Sequence, residues 1–414
     1  RINRHTHEFR FSTPQEHRVR LTSGVFYDRF KLETLDLFRY EATDELGFAP
    51  NAIITGAEPI IAEPGVPQAP GVAFFNDIRR SEIQVAVFGE LSLDLTDSVT
   101  VTGGIRYYNF EIDFEGTSNF AAGPFAGSVD NDAGRDYDVT GGHTPAPFEE
   151  SGFIGKANVE WRVTDDALVY GTWSQGFRPG GWNRGGGVAS VNPTFPTVPT
   201  NYGTDSLENY ELGWKTQWLD NRLRLNGALF YIDWTEIQLA RFDPVNVSIL
   251  TFVDNAADAE IYGFESDFSW LATDQLTIDG AISVIETELT GANSDVVTLA
   301  PTGSELALAP PVQANMRVRY DWQMGPYLMN VRGGFNYTGQ TFSALAVDDR
   351  REQDNYIVGN LAAGVEFGNW RANAYVRNIS DTRAELFFNT ADDVPRITTN
   401  RPRTYGMSIS YVFQ

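Results

Sequence analysis

The stretch Glu82-Ile-Gln-Val-Ala-Val-Phe-Gly-Glu-Leu-Ser-Leu-Asp-Leu95 decides the fold. Its odd positions read Ile83, Val85, Val87, Gly89, Leu91, Leu93 and Leu95, while its even positions carry Glu82, Gln84, Glu90, Ser92 and Asp94. A period of two with one oily and one wet face is a β-strand. Working outward, the same alternation recurs at Arg222–Tyr231, Leu276–Val284 and Gln313–Trp322. These runs are about twice the ~5–6 residues of ordinary soluble strands. At ~3.3 Å per residue and a tilt near ~40°, thirteen residues climb roughly 33 Å, enough to cross a ~25 Å apolar band.

The connections alternate between tight and long. Tight turns fall at Leu95–Val99, Val163–Ala167, Leu219–Leu223, Ala272–Leu276, Gln323–Tyr327 and Phe367–Arg371, rich in the Asp, Asn and Gly that short hairpins need. Long connections are expected at about 32–81, 115–150, 178–205, 240–258, 290–310, 340–354 and 379–402. Short turns at one end and long loops at the other describe a membrane barrel rather than a sandwich or propeller. The expected fold is all-β: an antiparallel transmembrane β-barrel with short periplasmic turns and long extracellular loops. About fifteen strands are counted, from near Thr6–Ser12 to Arg403–Phe413. Bacterial barrels close with an even number, so residues 1–414 are expected to be the C-terminal part of a larger barrel whose first strands lie elsewhere.

Composition agrees once alternation is recognised. The 414 residues hold 42% hydrophobic and 13% aromatic side chains, no cysteine, and a net charge of −24. Size alone suggests two or three soluble domains, and mild hydropathy excludes membrane helices, but an alternating strand halves its apolar content and still spans lipid. Acidity without a basic patch disfavours a nucleic-acid partner, and zero cysteines remove disulfides and thiol chemistry.

Several segments together carry a family resemblance. Ser206-Leu-Glu-Asn-Tyr-Glu-Leu-Gly-Trp through Leu219-Asp-Asn-Arg-Leu223 to Trp234 resembles the barrel hairpin of TonB-dependent outer-membrane receptors. Asp254-Asn-Ala with Tyr262-Gly-Phe-Glu265, and Tyr170 to Asn183 with its Gly-Phe-Arg-Pro-Gly-Gly core, are similar to that family's strand starts and loops. Asn378-Ile-Ser-Asp381 and Arg401-Pro-Arg-Thr-Tyr-Gly406 resemble its corner and final strand. The resemblance implies a 22-stranded barrel, of which this chain would hold the last two-thirds, with an N-terminal plug domain absent here. It implies active uptake of a scarce solute, foremost a ferric siderophore or other iron chelate, energised through the TonB complex acting on the plug. It also implies a place in the bacterial outer membrane among lipid and lipopolysaccharide, and assembly by the barrel-assembly machinery reading Gly406, Ile409, Tyr411 and Phe413. Carbohydrate or cobalamin uptake, a passive porin-type channel, and a surface-anchoring role are the alternatives.

Neither Gly-x-Ser-x-Gly, His-Glu-x-x-His nor a phosphate loop occurs, so no enzyme is expected, and no cofactor or resident metal. His5 and His7, two apart on one strand with His17 across a turn, read as a possible metal pair or as solvated lumen residues. Loop residues Arg178, Trp182, Asn183, Arg184, Tyr202 and Phe342 could stack on and bond a planar chelate or a sugar; their other role would be packing loops onto the rim. Arg106, Arg222, Arg224, Arg317, Arg319 and Arg371 are placed on polar, lumen-facing positions, either attracting an anion or plug, or pairing with neighbouring carboxylates. Loop acids such as Asp348, Asp349, Asp392 and Asp393 read as a solvated face or a divalent-cation site bridging lipopolysaccharide.

Overall fold

In the computed structural model, residues 1–39, 72–120, 135–136, 148–183, 199–242, 251–292, 300–347, 350–389 and 395–413 are described. Fifteen strands follow one another in an antiparallel meander. They are β1 (Ile2–Ser12), β2 (Val19–Arg39), β3 (Val72–Asp94), β4 (Val99–Phe120), β5 (Phe148–Thr164), β6 (Ala167–Arg178), β7 (Asp205–Trp218) and β8 (Leu223–Phe242). Then come β9 (Thr251–Leu271), β10 (Leu276–Ala292), β11 (Val312–Met324), β12 (Tyr327–Thr338), β13 (Tyr356–Phe367), β14 (Trp370–Arg377) and β15 (Thr404–Tyr411). Each strand pairs with its sequence neighbours, and β1 and β15 are the two edges.

The register assigns every side chain to a face. Val25 lies opposite Val87, Val87 opposite Tyr107, and Tyr107 opposite Phe153, all on one surface. Val25, Val87, Tyr107 and Phe153 are exposed there, as are Leu212, Leu229, Ile282 and Leu361 on strands further along. Exposed apolar side chains in unbroken rows suit lipid and nothing else in an aqueous cell. That outer face is bordered by two aromatic belts. Phe153 and Trp161, Tyr210 and Trp218, and Tyr262 and Trp270 each stand eight residues apart on β5, β7 and β9. Eight residues give ~26 Å of strand, or roughly 20 Å of height at a ~40° tilt. The tryptophans sit beside the tight turns, so they mark the periplasmic edge, and the tyrosines mark the outer one.

Three of the tight turns rely on left-handed backbone, the one at Phe367–Arg371 through Gly368 with a φ of 53°. Leu219, Asp220 and Asn221 have φ of 58°, 54° and 64°, and Gly325 supplies a φ of 58° in the next-but-one turn. Three consecutive L-residues in that region are uncommon, with Asn and Asp the side chains that tolerate it best.

Three of the seven long connections are shorter than expected because their strands outrun the membrane, while those at 178–205, 290–310, 340–354 and 379–402 fall close to their expected places. Both ends of the segment expected as a loop at 32–81 are paired strand, with Leu32 opposite Arg80 and Phe38 opposite Phe74, and residues 40–71 lie outside the described residues. β4 reaches Phe120 and β9 begins at Thr251, inside the expected loops at 115–150 and 240–258. Above the outer belt both faces meet water, so alternation of hydropathy disappears while the hydrogen-bond ladder goes on. Fully buried apolar side chains gather at this outer end: Ile237, Ala257, Ala259, Leu289 and Ala300 form a cluster capped by Leu306 and Leu345 from neighbouring loops.

Candidate functional site

The inner surface and the outer mouth carry the chemistry. At the mouth, β6 ends at Arg178 and β7 begins at Asp205, directly opposite each other in the register. Asp205 is 1% exposed. It accepts the Arg178 main-chain N–H at 3.0 Å, the Arg178 Nε at 2.7 Å and the Trp234 Nε1 at 3.1 Å. The guanidinium lies 4.9 Å from the centre of the Trp234 ring. Gln238 Nε2 donates to the carbonyls of Pro179 and Gly203, both at 3.0 Å. Asn255 Oδ1 accepts the Gly203 N–H at 2.6 Å, and its amide donates to the Glu236 carbonyl at 2.8 Å. Glu236 itself has a φ of 56° and sits in a register shift between Trp234 and Ile237. Asp205, Gln238 and Asn255 escape a reading by motif because their partners lie 19 to 60 residues away. Asn255 alone left a trace, as part of the Asp254-Asn-Ala segment.

Beyond this neck the loop folds inward. Gly181–Trp182 pairs with Asn201–Tyr202 as a short hairpin. Trp182 Nε1 donates to the Ile112 carbonyl on β4 at 2.8 Å. The next residue, Asn183, exchanges two hydrogen bonds with Val253 on β9, at 2.7 and 2.6 Å. β4 and β9 are five places apart in the sheet, about 24 Å along it. Adjacent residues that touch both strands make the loop a chord across the mouth. Arg178, Trp182, Asn183 and Tyr202 are therefore brought together: the side-chain polar groups of Arg178, Trp182 and Asn183 are engaged by protein partners, and Tyr202 pairs with Gly181 in the hairpin. Arg184 lies outside the described residues. Phe342 is apart from them: its ring lies 3.7 Å from the Arg350 guanidinium, and its carbonyl accepts the Leu308 N–H at 2.9 Å.

A second corner closes the C-terminal end. Asn378, with φ 52°, donates to the carbonyls of Thr382 and Arg401 at 2.9 and 3.0 Å. Asp381 accepts the Arg403 main-chain N–H at 2.7 Å. That hydrogen bond, reinforced by the charges of Arg383 and Arg403, holds the Asp381 carboxyl below its ordinary range.

On the inner wall, Arg106 lies 5.1 Å from the Phe26 ring, beside the Lys156–Glu90 ion pair. A groove of ≈ 500 Å³ runs past them, lined also by Glu8, Arg10 and Phe88. Arg224 approaches Asp267 at 3.8 Å, Arg319 pairs with Asp321 at 2.7 Å, and Arg371 with Glu366 at 2.8 Å. Arg317 stands opposite Asp279 in the register. Arg222 is not on a lumen position: it belongs to the periplasmic turn and donates to Asp274 of the next turn at 2.9 Å. The strand begins one residue later than alternation suggests, because Asn221 is left-handed and Leu223 is the first paired residue.

Gly406 faces inward, opposite Tyr375, whereas Ile409 and Tyr411 share the outer face and Phe413 packs edge-on to Tyr411 at 4.9 Å. His5 and His7 face outward rather than into the lumen, because their partners Arg29 and Tyr27 stand opposite Ile83 and Val85. Among the described residues no three His, Cys, Asp or Glu side chains are grouped to hold a metal. Asp348, Asp349, Asp392 and Asp393 lie outside the described residues.

A lipid-facing meander with a polar interior, short turns below and tied loops above defines the class, an outer-membrane β-barrel. The chain belongs to the TonB dependent receptor-like β-barrel family, whose model matches residues 3–379. The Pesticin receptor of Yersinia pestis is 23% identical over 334 residues, covering 78% of this chain and 43% of that protein. The crystal structure of the ferric yersiniabactin uptake receptor FyuA from Yersinia pestis superposes with a TM-score of 0.71 at 18% identity, over 99% of this chain and 54% of that one. The ferric-catecholate import receptor Fiu from E. coli K12 gives 0.66 at 18% identity, with 99% and 54% covered. The chain thus spans about half the length of the relatives it matches. Its family is one of receptors and transporters rather than enzymes.

Proposed function

We propose that the chain serves an outer-membrane receptor that takes up a ferric chelate, energised through TonB, and that the protein itself performs no covalent chemistry. The family match across residues 3–379 carries the reading. Relatives named as receptors for ferric yersiniabactin and ferric catecholates support the ligand class. We propose further that residues 1–414 are the C-terminal part of a 22-stranded barrel, with the plug and first strands supplied by a longer protein. The odd number of strands in the sheet and the edges of β1 and β15, unpaired among the described residues, support this, since bacterial barrels close with even numbers. In this reading the rows of outer apolar side chains contact lipid and lipopolysaccharide, and β15 carries the signal read by the assembly machinery.

The test is uptake of ⁵⁵Fe chelates by cells carrying the complete gene, with and without functional TonB. TonB-dependent accumulation is expected. Uptake that persists without TonB would instead indicate a passive porin, and unchanged iron uptake on gene deletion, with lost growth on sugars or cobalamin, would move the substrate class.

A further inference from the structure

The last two outer loops meet over one ion pair. Arg351, in the connection between β12 and β13, lays its guanidinium on the Glu385 carboxylate, with Nε to Oε2 at 3.0 Å and Nη2 to Oε1 at 2.7 Å. Glu385 belongs to the connection between β14 and β15, where Glu385–Asn389 pairs with Arg396–Thr399 as a short hairpin. Arg351 is set in turn by a smaller hairpin, Thr341–Phe342 with Glu352–Gln353. The Arg351 N–H donates to Ser343 Oγ, and the Arg351 carbonyl accepts the Ser343 N–H, both at 2.9 Å.

Beside this ion pair two polar groups go unanswered. Gln353 is 1% exposed, and its Nε2 donates to the Glu385 carbonyl at 3.1 Å. A carbonyl only accepts, so that bond fixes the amide, with Nε2 toward Glu385 and Oε1 away from it. Oε1 is buried without a hydrogen-bond partner, and the same is true of Thr341 Oγ1. Thr341 and Gln353 stand opposite each other in the register. Their side chains therefore share one face of the hairpin, with Cβ atoms about 4.5–5.5 Å apart. A hydroxyl beside an amide oxygen ordinarily donates to it, yet these two do not bond. Arg350 Nη1 is also buried and unpartnered, but its guanidinium lies 3.7 Å from the Phe342 ring, which alternation puts on the other face.

Buried polar groups are almost always satisfied, and where no protein group reaches them the partner is an ordered water. We propose that Thr341 and Gln353 hold one such water between them, as part of the latch that joins the two loops. The water accepts the Thr341 O–H and donates to Gln353 Oε1. Its remaining proton and lone pair are free for neighbouring main chain, within the ~2–4 bonds usual for a buried water. Two neutral oxygens are too few for a hard cation, which takes about six to eight. By fixing the Gln353 amide, the water keeps Nε2 on the Glu385 carbonyl, so the loops stay latched with no solute present.

The test is a crystal structure of the complete receptor at a resolution that shows ordered waters. Density within hydrogen-bond reach of both Thr341 Oγ1 and Gln353 Oε1 is expected, and it should vanish in Thr341→Val. A direct Thr341–Gln353 hydrogen bond, or no density between the two, overturns the inference. Hydrogen exchange in detergent micelles reads the latch separately, with heat-modifiable gel migration verifying that each variant is a folded barrel. In a dry site Thr341→Val only removes an unpaired hydroxyl, and protection stays equal or rises. With the water in place the valine variant loses the bridge, and exchange of the Ser343 and Arg351 amides should quicken by about threefold or more. Thr341→Ser keeps the hydroxyl and should exchange as the wild type does. Equal exchange in all three proteins overturns the water's part in the latch.

Discussion

Asp205 and Arg178 face each other across the first rung of β7 and the last of β6, and the carboxylate binds both the main-chain N–H and the guanidinium of its partner. One buried side chain thereby ties both ends of the 179–204 loop, and with Trp234 it fastens that loop to β8. Removing it leaves Arg178, Trp234 and a main-chain N–H without their acceptor. Loss of one partner of a buried pair costs ~3–5 kcal/mol. Arg178 is half exposed, so Asp205→Ala is expected to cost about 2 kcal/mol, and Asp205→Asn less because an acceptor remains. Hydrogen exchange at Arg178 and at Asn201–Asp205 should accelerate in the alanine variant; unchanged protection there would contradict the clamp.

Gly406 is required for a spatial reason. The ring of Tyr375 lies across it from the neighbouring strand, filling the space a Cβ would occupy. Gly406→Val must push the ring off the last strand, with an expected loss of ~1–3 kcal/mol from overpacking. Urea unfolding in micelles would register this as a lower midpoint at unchanged slope. Pairing Gly406→Val with Tyr375→Ala should recover part of the loss, because the ring is then no longer in the way.

Much of the lipid-spanning region was legible because lipid imposes alternation: Ile83 to Leu93 and Leu276 to Val284 each reveal both faces of the wall. The extension of β2 to Arg39 was not, since residues such as Lys31, Glu33 and Asp36 look like loop while remaining paired to β3. The mouth was legible in part. Trp182 and Asn183 could be singled out by type, but that they bridge β4 and β9 depends on contacts 70 residues away. Asp205 carried no signal, because a lone carboxylate before a strand looks the same whether solvated or buried.

The corner at Asp381 should respond to acid. Its carboxyl is held below the ordinary value of 3.8 by the Arg403 N–H and by two arginines, so the folded form binds its proton less readily than the unfolded form. Its contribution is therefore complete above about pH 4, shrinks as pH falls through the depressed folded value, and is gone below it. Exchange of the Arg403 amide should rise over that acid window in the wild type. Asp381→Asn should flatten this dependence, and an identical acid profile in both proteins would assign the effect elsewhere.

Ile282 and Ser283 are neighbours on β10 that meet opposite surroundings. Ile282 is on the outer face, 40% exposed, midway between Leu276 at the lower belt and Glu286 at the level of Tyr262. Ser283 points inward, directly opposite Glu265, into a polar groove. An arginine at the bilayer midplane of a barrel costs ~2–4 kcal/mol, whereas one in a polar lumen near a carboxylate changes stability by less than ~1 kcal/mol. Ile282→Arg should therefore lower the unfolding free energy in lipid vesicles by several times more than Ser283→Arg. The difference should shrink in short-chain detergent, where a charged outer side chain reaches water by displacing a few molecules. Equal costs in vesicles would mean that the outer face is not the lipid face, and the assignment of every row in the sheet would invert with it.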